Sequence, residues 1–189
     1  MKAAIVLLAN REIQNYVRRI VFDLNRKYDI RFLASLLPAH VSLKQPFSFD
    51  SMEKLETYFD RLAEDIEPFV VELDHVYHTQ WGGYGILGLD VRETDTLREL
   101  HNRINAELDD LFEDTSAPHD GDSYRFHLTI ELGSVEAEDV YGRYYEELDD
   151  KRVNLKFTAR EIALFYYTGD PSAGSYMTYK VLELGGSQS

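Results

Sequence analysis

The sequence contains no cysteine, and this absence excludes disulfide bonds, thiolate catalysis and cysteine-ligated zinc. Positive charge is also scarce, because 34 acidic residues outnumber 20 lysines and arginines and give a formal net charge of −14. Proteins that bind a long duplex through its phosphates normally present a broad basic surface. We therefore expect no extended duplex nucleic acid as a partner. A phosphate ligand would be of nucleotide or short-oligonucleotide size.

The sequence also lacks an apolar run of transmembrane length, for which about 20 residues are needed. Its opening segment, residues 1–9, superficially resembles a signal peptide, but the apolar run is short and no small-residue cleavage site follows it. We interpret this segment as a buried first strand and expect a cytoplasmic protein without a membrane partner. The composition, 44% apolar and 29% charged among 189 residues, is typical of a globular chain that can bury a core.

Apolar spacing predicts the order strand–helix–strand–helix–strand twice, around residues 3–77 and 85–167. A glycine- and aromatic-rich linker, residues 79–84, separates these pseudo-repeats. We predict one bilobal domain, 1–189, of the α+β class, with two pseudo-symmetric lobes and a central cleft. Each lobe is a small, mainly antiparallel sheet backed by helices. The predicted strands are 3–9, 36–43, 69–77, 85–91, 124–132, 153–167 and 176–183, and the predicted helices include 13–24, 55–66, 97–111 and 136–148.

One histidine lies in the middle strand of each repeat, and a hydroxyl residue follows it two positions later. The first motif is His40-x-Ser42 and the second is His127-x-Thr129, and in both the residues after the histidine and after the hydroxyl residue are apolar. Because side chains alternate between the two faces of a strand, each histidine shares a face with its hydroxyl partner. If the lobes pack about a pseudo-twofold axis, the two polar faces converge across the cleft.

This pattern is suited to phosphodiester chemistry. One neutral imidazole can take a proton from an attacking water or hydroxyl, while the other, protonated, gives a proton to the leaving oxygen. An ordinary histidine pKa of about 6.5 populates both forms near neutrality. Ser42 and Thr129 can donate hydrogen bonds to the non-bridging phosphoryl oxygens. The chemistry requires no metal, and we expect no cofactor.

The paired motifs, one in each half of an α+β chain of this length, resemble those of the two-histidine (2H) phosphoesterases. That superfamily includes the RNA 2′,3′-cyclic phosphodiesterases, also described as 2′-5′ RNA ligases. The resemblance covers essentially the whole chain, and the separation of 127 − 40 = 87 residues places the histidines at equivalent points of the repeat. It implies that His40 and His127 are the catalytic acid and base, that Ser42 and Thr129 bind phosphate, and that the substrate is a nucleotide or a short RNA-type molecule.

Two basic residues beside the motifs are candidates for substrate binding. Lys44 matches a basic position that is common in the ligase-like members. Those members often carry an arginine soon after the second hydroxyl residue, but here Glu131 and Leu132 follow. This departure argues against the RNA ligase branch. Arg125 lies by alternation on the face of His127 and is a candidate to supply the missing positive charge.

Several alternatives remain at this stage. A lone histidine in a strand is more often structural than catalytic, so the interpretation depends on the two motifs together. The same pair could join RNA ends reversibly, or the chain could bind a nucleotide in a regulatory role without turnover. A metal-dependent hydrolase built on His75, His78 or His119 is a further alternative, although His75 and His78 face opposite ways in a strand.

Overall fold

The computed structural model describes residues 1–29, 37–81, 83–118, 120–148, 150–169 and 176–185. Within these ranges the chain forms eight strands and four helices, and the predicted α+β class is confirmed. The elements are β1 Lys2–Leu8, α1 Arg11–Tyr28, β2 His40–Ser48, α2 Met52–Asp65, β3 Phe69–Trp81, β4 Tyr84–Val91, α3 Asp95–Leu111, β5 His127–Ser134, α4 Ala137–Glu147, β6 Arg152–Ala159, β7 Glu161–Tyr167 and β8 Met177–Glu183. A short 3₁₀ turn, Gly121–Ser123, precedes β5.

Polar side chains cap the N-termini of the first three helices. The Asn10 side chain accepts a hydrogen bond from the backbone N–H of Ile13 at 3.0 Å at the start of α1. Ser51 and Thr94 do the same for α2 and α3. Each cap satisfies one of the backbone donors that a helix leaves unpaired in its first turn. Each of these three helices therefore begins at a defined residue.

All eight strands belong to one antiparallel sheet, in the order β6-β3-β4-β5-β2-β1-β7-β8. The two halves of this sheet meet between β2 and β5. One residue pair, Val41 with Leu128, joins those two strands, whereas most neighbouring strands are paired over six or more residues. The halves can therefore diverge on either side of this junction, and a cleft lies over it on one face.

The strand order exchanges strands between the two predicted repeats. Strand β3, from the first repeat, is paired with β4 of the second, and β7, from the second, is paired with β1 of the first. Residues 79–84 are therefore not a linker between lobes, because Trp81 at the end of β3 pairs with Tyr84 at the start of β4 in a tight hairpin. The predicted single strand 153–167 is also wrong. It is broken at Arg160 into β6 and β7, which lie in opposite halves of the sheet.

The main core lies between the sheet and the helices. Buried apolar residues from all four helices join the inward residues of the strands in one cluster, with Ile13, Leu55, Ile104 and Tyr141 as fully buried examples from α1 to α4. A much smaller apolar cluster, which includes Val6 and Phe165, lies separately from the main core. No helix in the described ranges is both long enough and apolar enough to cross a membrane.

Candidate active site

The four motif residues lie together on one face of the sheet. In β2, Val41 is fully buried in the main core, and in β5, Leu128 is fully buried there as well. His40, Ser42, His127 and Thr129 are each partly buried, which is the alternation that the two motifs predict. The polar residues therefore face away from the helices.

The junction between β2 and β5 fixes how these residues oppose one another. Val41 is opposite Leu128 in an antiparallel pair, so continuing the register by one residue places His40 opposite Thr129 and Ser42 opposite His127. Each histidine thus faces the hydroxyl residue of the other motif. The two histidines are diagonal neighbours across the two strands. The backbones of residues in that relation are about 7–8 Å apart. A phosphoryl group can fit between two imidazoles at that spacing.

Both imidazoles are held in the same way by the chain just before them. Nδ1 of His40 lies 2.8 Å from the carbonyl oxygen of Pro38, and Nδ1 of His127 lies 2.9 Å from that of Arg125. A carbonyl oxygen can only accept a hydrogen bond, so each Nδ1 carries a proton and donates it. Nε2 is then the nitrogen of each ring that can exchange a proton with a substrate.

The two imidazoles differ in their surroundings. The His40 ring packs edge-on against Phe165, with 4.8 Å between ring centroids. Burial lowers the pKa of His40 to about 4, the hydrogen bond to the Pro38 carbonyl opposes this shift, and the neighbouring His127 adds to it. At neutral pH His40 is therefore uncharged, with the lone pair of Nε2 available to accept a proton.

A second row of polar side chains continues from His127 across the sheet. Asp90 on β4 is directly opposite His127, and its carboxylate lies 2.7 Å from Nε2 of His75 on β3. Arg125 approaches the same carboxylate at 4.0 Å, with 86% of its side chain exposed. Arg125 therefore reaches the cleft from its rim, on the side of His127. Sequence reasoning missed Asp90, because strand pairing alone brings it beside the motif.

The cleft has a volume of about 640 Å³, within the range of about 300–1,000 Å³ that is usual for small-molecule sites. Ser42, His127 and Thr129 line it, and His40 adjoins it as the cross-strand neighbour of Thr129. The cleft extends along β4 and β5 toward the β3–β4 hairpin. Its lining in that direction combines the apolar side chains of Ile86, Leu132 and the half-exposed Trp81 with the polar residues His78, Thr79 and Gln80.

Lys44 does not line the cleft. A bulge in β2 shifts the register after Ser42, so that Leu43 and Lys44 are both buried. The Lys44 ammonium group forms an ion pair with Asp120 and donates to the side-chain oxygen of Asn105 at 2.5 Å. The prediction that Lys44 contacts substrate is therefore wrong in this structure, and the residue instead joins β2 to α3 and to the segment before β5.

That segment is fixed by further contacts around buried His101. Nδ1 of His101 donates to the Leu43 carbonyl at 2.7 Å, and Nε2 accepts the backbone N–H of Gly121 at 2.9 Å. Tyr124 stacks on the same ring, with centroids 4.5 Å apart, and donates from its hydroxyl to the Ser42 carbonyl at 3.2 Å. These contacts set the position of Ser123, Tyr124 and Arg125, which line the cleft.

The histidines considered for a metal site are separated in the structure. His75 pairs with Asp90, whereas Nδ1 of His78 lies 2.7 Å from the carboxylate of Glu138 on α4. His119 lies outside the described residues. Among the residues that are described, no group of three or more His, Cys, Asp or Glu side chains is arranged to hold a metal ion.

Comparison with known proteins gives a consistent result. A family model for the 2′-5′ RNA ligase superfamily matches residues 9–171. A protein of Geobacillus sp. (strain WCH70), provisionally named a phosphoesterase, is 27% identical over 197 residues that cover 100% of this chain and 99% of that protein.

Two solved structures share the fold. TT0787 of Thermus thermophilus has a TM-score of 0.63 at 15% identity, over 99% of this chain and 100% of that one. LigT of E. coli, crystallised with 3′-AMP, has a TM-score of 0.58 at 18% identity, over 97% and 96% of the two chains.

The assignment of Lys44 to a structural role predicts a loss of stability on substitution. Lys44→Met keeps most of the side-chain volume but removes the cation paired with Asp120, so we expect the free energy of unfolding in urea to fall by about 3 kcal/mol. Arg125→Met, which removes an exposed charge, should change it by less than about 0.5 kcal/mol. Equal stability of the two variants would contradict this assignment.

The low pKa of His40 predicts a pH-dependent stability. The unfolded chain binds a proton at this residue near pH 6.5, whereas the folded chain binds it only near pH 4, so stability falls as the pH falls through this window. Between pH 7 and pH 5 the loss from this group should be about 2 kcal/mol. His40→Asn should lose correspondingly less over the same interval in urea unfolding, since His101, whose pKa burial also lowers, is present in both proteins. Parallel losses in the two proteins would show that His40 is not held neutral.

Proposed function

The chain belongs to the 2′-5′ RNA ligase superfamily of two-histidine phosphoesterases, and we propose that it is a metal-independent phosphodiesterase that opens 2′,3′-cyclic phosphates or a closely related RNA-type phosphodiester. The observation that carries the proposal is the convergence of the two motifs at the β2–β5 junction. Both imidazoles there keep Nε2 available, because each Nδ1 is occupied by a backbone carbonyl.

The shape of the cleft supports a substrate of nucleotide size. Ser42, His127 and Thr129 line one end of it, and Trp81, Ile86 and Leu132 lie toward the hairpin. A nucleobase has a flat apolar face that such side chains can contact, while its phosphate occupies the end lined by the motif residues. The E. coli LigT structure was determined with 3′-AMP, and a nucleotide of that kind is the ligand that we propose for this chain.

We propose roles for the two histidines in hydrolysis on the basis of the low pKa of His40. Neutral His40 accepts a proton at Nε2 from the attacking water, whose oxygen forms a bond to phosphorus. His127 is then the general acid, which donates a proton from Nε2 to the ribose oxygen as the cyclic P–O bond breaks. Ser42 and Thr129 hold the non-bridging oxygens through the transition state. One water is consumed, the product is a phosphate monoester, and proton exchange with solvent restores the pair.

We further propose that residues 1–189 act as one bilobal domain and that the protein works in the cytoplasm. The support for one domain is that each predicted repeat, 3–77 and 85–167, supplies one histidine to the same cleft. Reversible RNA end joining is the weaker candidate, because Lys44 is turned away from the cleft and the chain carries a net charge of −14.

The proposal is tested by hydrolysis of the four nucleoside 2′,3′-cyclic phosphates with EDTA present. His40→Ala and His127→Ala should each reduce kcat by about 10²-fold or more, the scale that general acid and base groups contribute. His78→Ala is the matched control. It removes an imidazole from the cleft lining whose Nδ1 is already bonded to Glu138, and it should change kcat by less than about 3-fold.

Three outcomes would count against the proposal. Loss of turnover in EDTA would show that a metal is needed. Full activity of either alanine variant would show that the pair does not act as acid and base. Tight nucleotide binding without turnover of any substrate would favour the regulatory role.

A further inference from the structure

Tyr77 on β3 lies across the neighbouring strand at a glycine. A Cβ built on Gly88 of β4 would come within 2.7 Å of Cε1 and Cζ of the Tyr77 ring and within 2.8 Å of its hydroxyl oxygen. Any side chain at position 88 would therefore displace the tyrosine. The ring can reach over β4 toward the centre of the cleft because Gly88 has no side chain.

The strand register shows where this hydroxyl points. Tyr77 is opposite Gly88, and Gly88 is opposite Thr129 on β5. Continuing the Val41–Leu128 register by one residue places Thr129 beside His40, so these four residues follow one another across the cleft face. The phenol oxygen lies over β4, and the neighbouring strand β5 is about 4.8 Å from β4. It is thus directed toward the phosphate-binding end of the cleft.

The hydroxyl of Tyr77 is chemically suited to donate a hydrogen bond to an anion. Burial raises the pKa of Tyr77 to about 12, Asp90 adds to this shift and Arg125 opposes it, so the phenol keeps its proton. Tyr77 lines the cleft and is partly buried. Within the described part of the chain its hydroxyl forms no hydrogen bond, in contrast to Tyr124, which is bonded to the Ser42 carbonyl.

The cleft has few positively charged side chains, so a neutral hydrogen-bond donor would contribute to phosphate binding. Among the described lining residues Arg125 is the one lysine or arginine, and it lies at the rim with 86% of its side chain exposed. Lys44 is buried elsewhere, and Asp90 adds a negative charge beside His127. A bound phosphate must therefore be held mainly by neutral donors, whose hydrogen bonds to a charged group are worth about 1.5–3 kcal/mol each.

We propose that Tyr77 is a third phosphate-binding residue, which donates its phenolic hydrogen to a non-bridging oxygen alongside Ser42 and Thr129, and that Gly88 is required to seat it. This inference rests on the proposed function, because it assumes that the phosphoryl group lies between the two motifs. It assigns Tyr77 to one of the two non-bridging oxygens, the one nearer β4.

The test compares Tyr77→Phe with the unmodified protein on a nucleoside 2′,3′-cyclic phosphate and on the two diastereomers of its cyclic phosphorothioate. Tyr77→Phe should reduce kcat/KM by about 10- to 100-fold on the normal substrate. Sulfur is a poor hydrogen-bond acceptor, so this reduction should nearly disappear for the one diastereomer that places sulfur at the Tyr77 position. Tyr179→Phe, which removes a hydroxyl on β8, is the control and should behave as the unmodified protein.

Equal reductions on both diastereomers, or no reduction on the normal substrate, would overturn the assignment and leave Tyr77 a packing residue. Gly88→Ala supplies a second variant. It should lower kcat/KM in the protein that retains Tyr77 but add little to the loss in Tyr77→Phe, where the hydroxyl is already absent. Additive losses would contradict the role of Gly88 in placing that hydroxyl.

A binding measurement distinguishes failure of the proposed function from failure of the Tyr77 assignment. If the unmodified protein hydrolyses no cyclic phosphate, the phosphodiesterase proposal fails, and calorimetric titration with 3′-AMP then tests Tyr77 on its own. Affinity that falls at least about 10-fold in Tyr77→Phe supports the contact. Unchanged affinity, or no binding of 3′-AMP by the unmodified protein, overturns it.

Discussion

The candidate site depends on the single residue pair, Val41 with Leu128, that joins β2 to β5. Both side chains are fully buried in the main core, so the core on one face of the sheet fixes the alignment of polar groups on the other. A slip of one residue at this junction would turn either motif toward the helices and remove its histidine from the cleft. The alignment of the four motif residues is thus set by apolar packing on the opposite side of the sheet.

The candidate site contains few positively charged side chains. Each imidazole is fixed through Nδ1 by the carbonyl two residues before it, and hydroxyl groups surround the space between the rings. Lys44, one of the two basic residues expected in the cleft, instead forms an ion pair with Asp120, in the segment that carries Tyr124. Such a site is compatible with the strong net negative charge of the chain. A compact anion can be bound by a few local hydrogen-bond donors and does not need a broad basic surface.

Sequence reasoning succeeded where a rule depends on neighbours along one strand. Period-2 alternation correctly oriented the residues around His40 and His127, because burial of Val41 and Leu128 enforces it. Lys44 was expected near the substrate because it matches a basic position of the ligase-like members, but a bulge in β2 after Ser42 turns it into the interior. Asp90 and Tyr77 were missed because they reach the site only through pairing between strands distant in sequence. Gly88 in β4 was a local hint that another group approaches the backbone closely.

The central claim is that both histidines contact one phosphoryl group through Nε2. A crystal structure of the protein with 3′-AMP tests this claim most directly. We expect Nε2 of His40 and Nε2 of His127 both to lie within hydrogen-bond distance, about 3 Å, of oxygens bonded to the same phosphorus atom. A phosphate that contacts only one of the two imidazoles, or that binds at the rim beside Arg125, would contradict it.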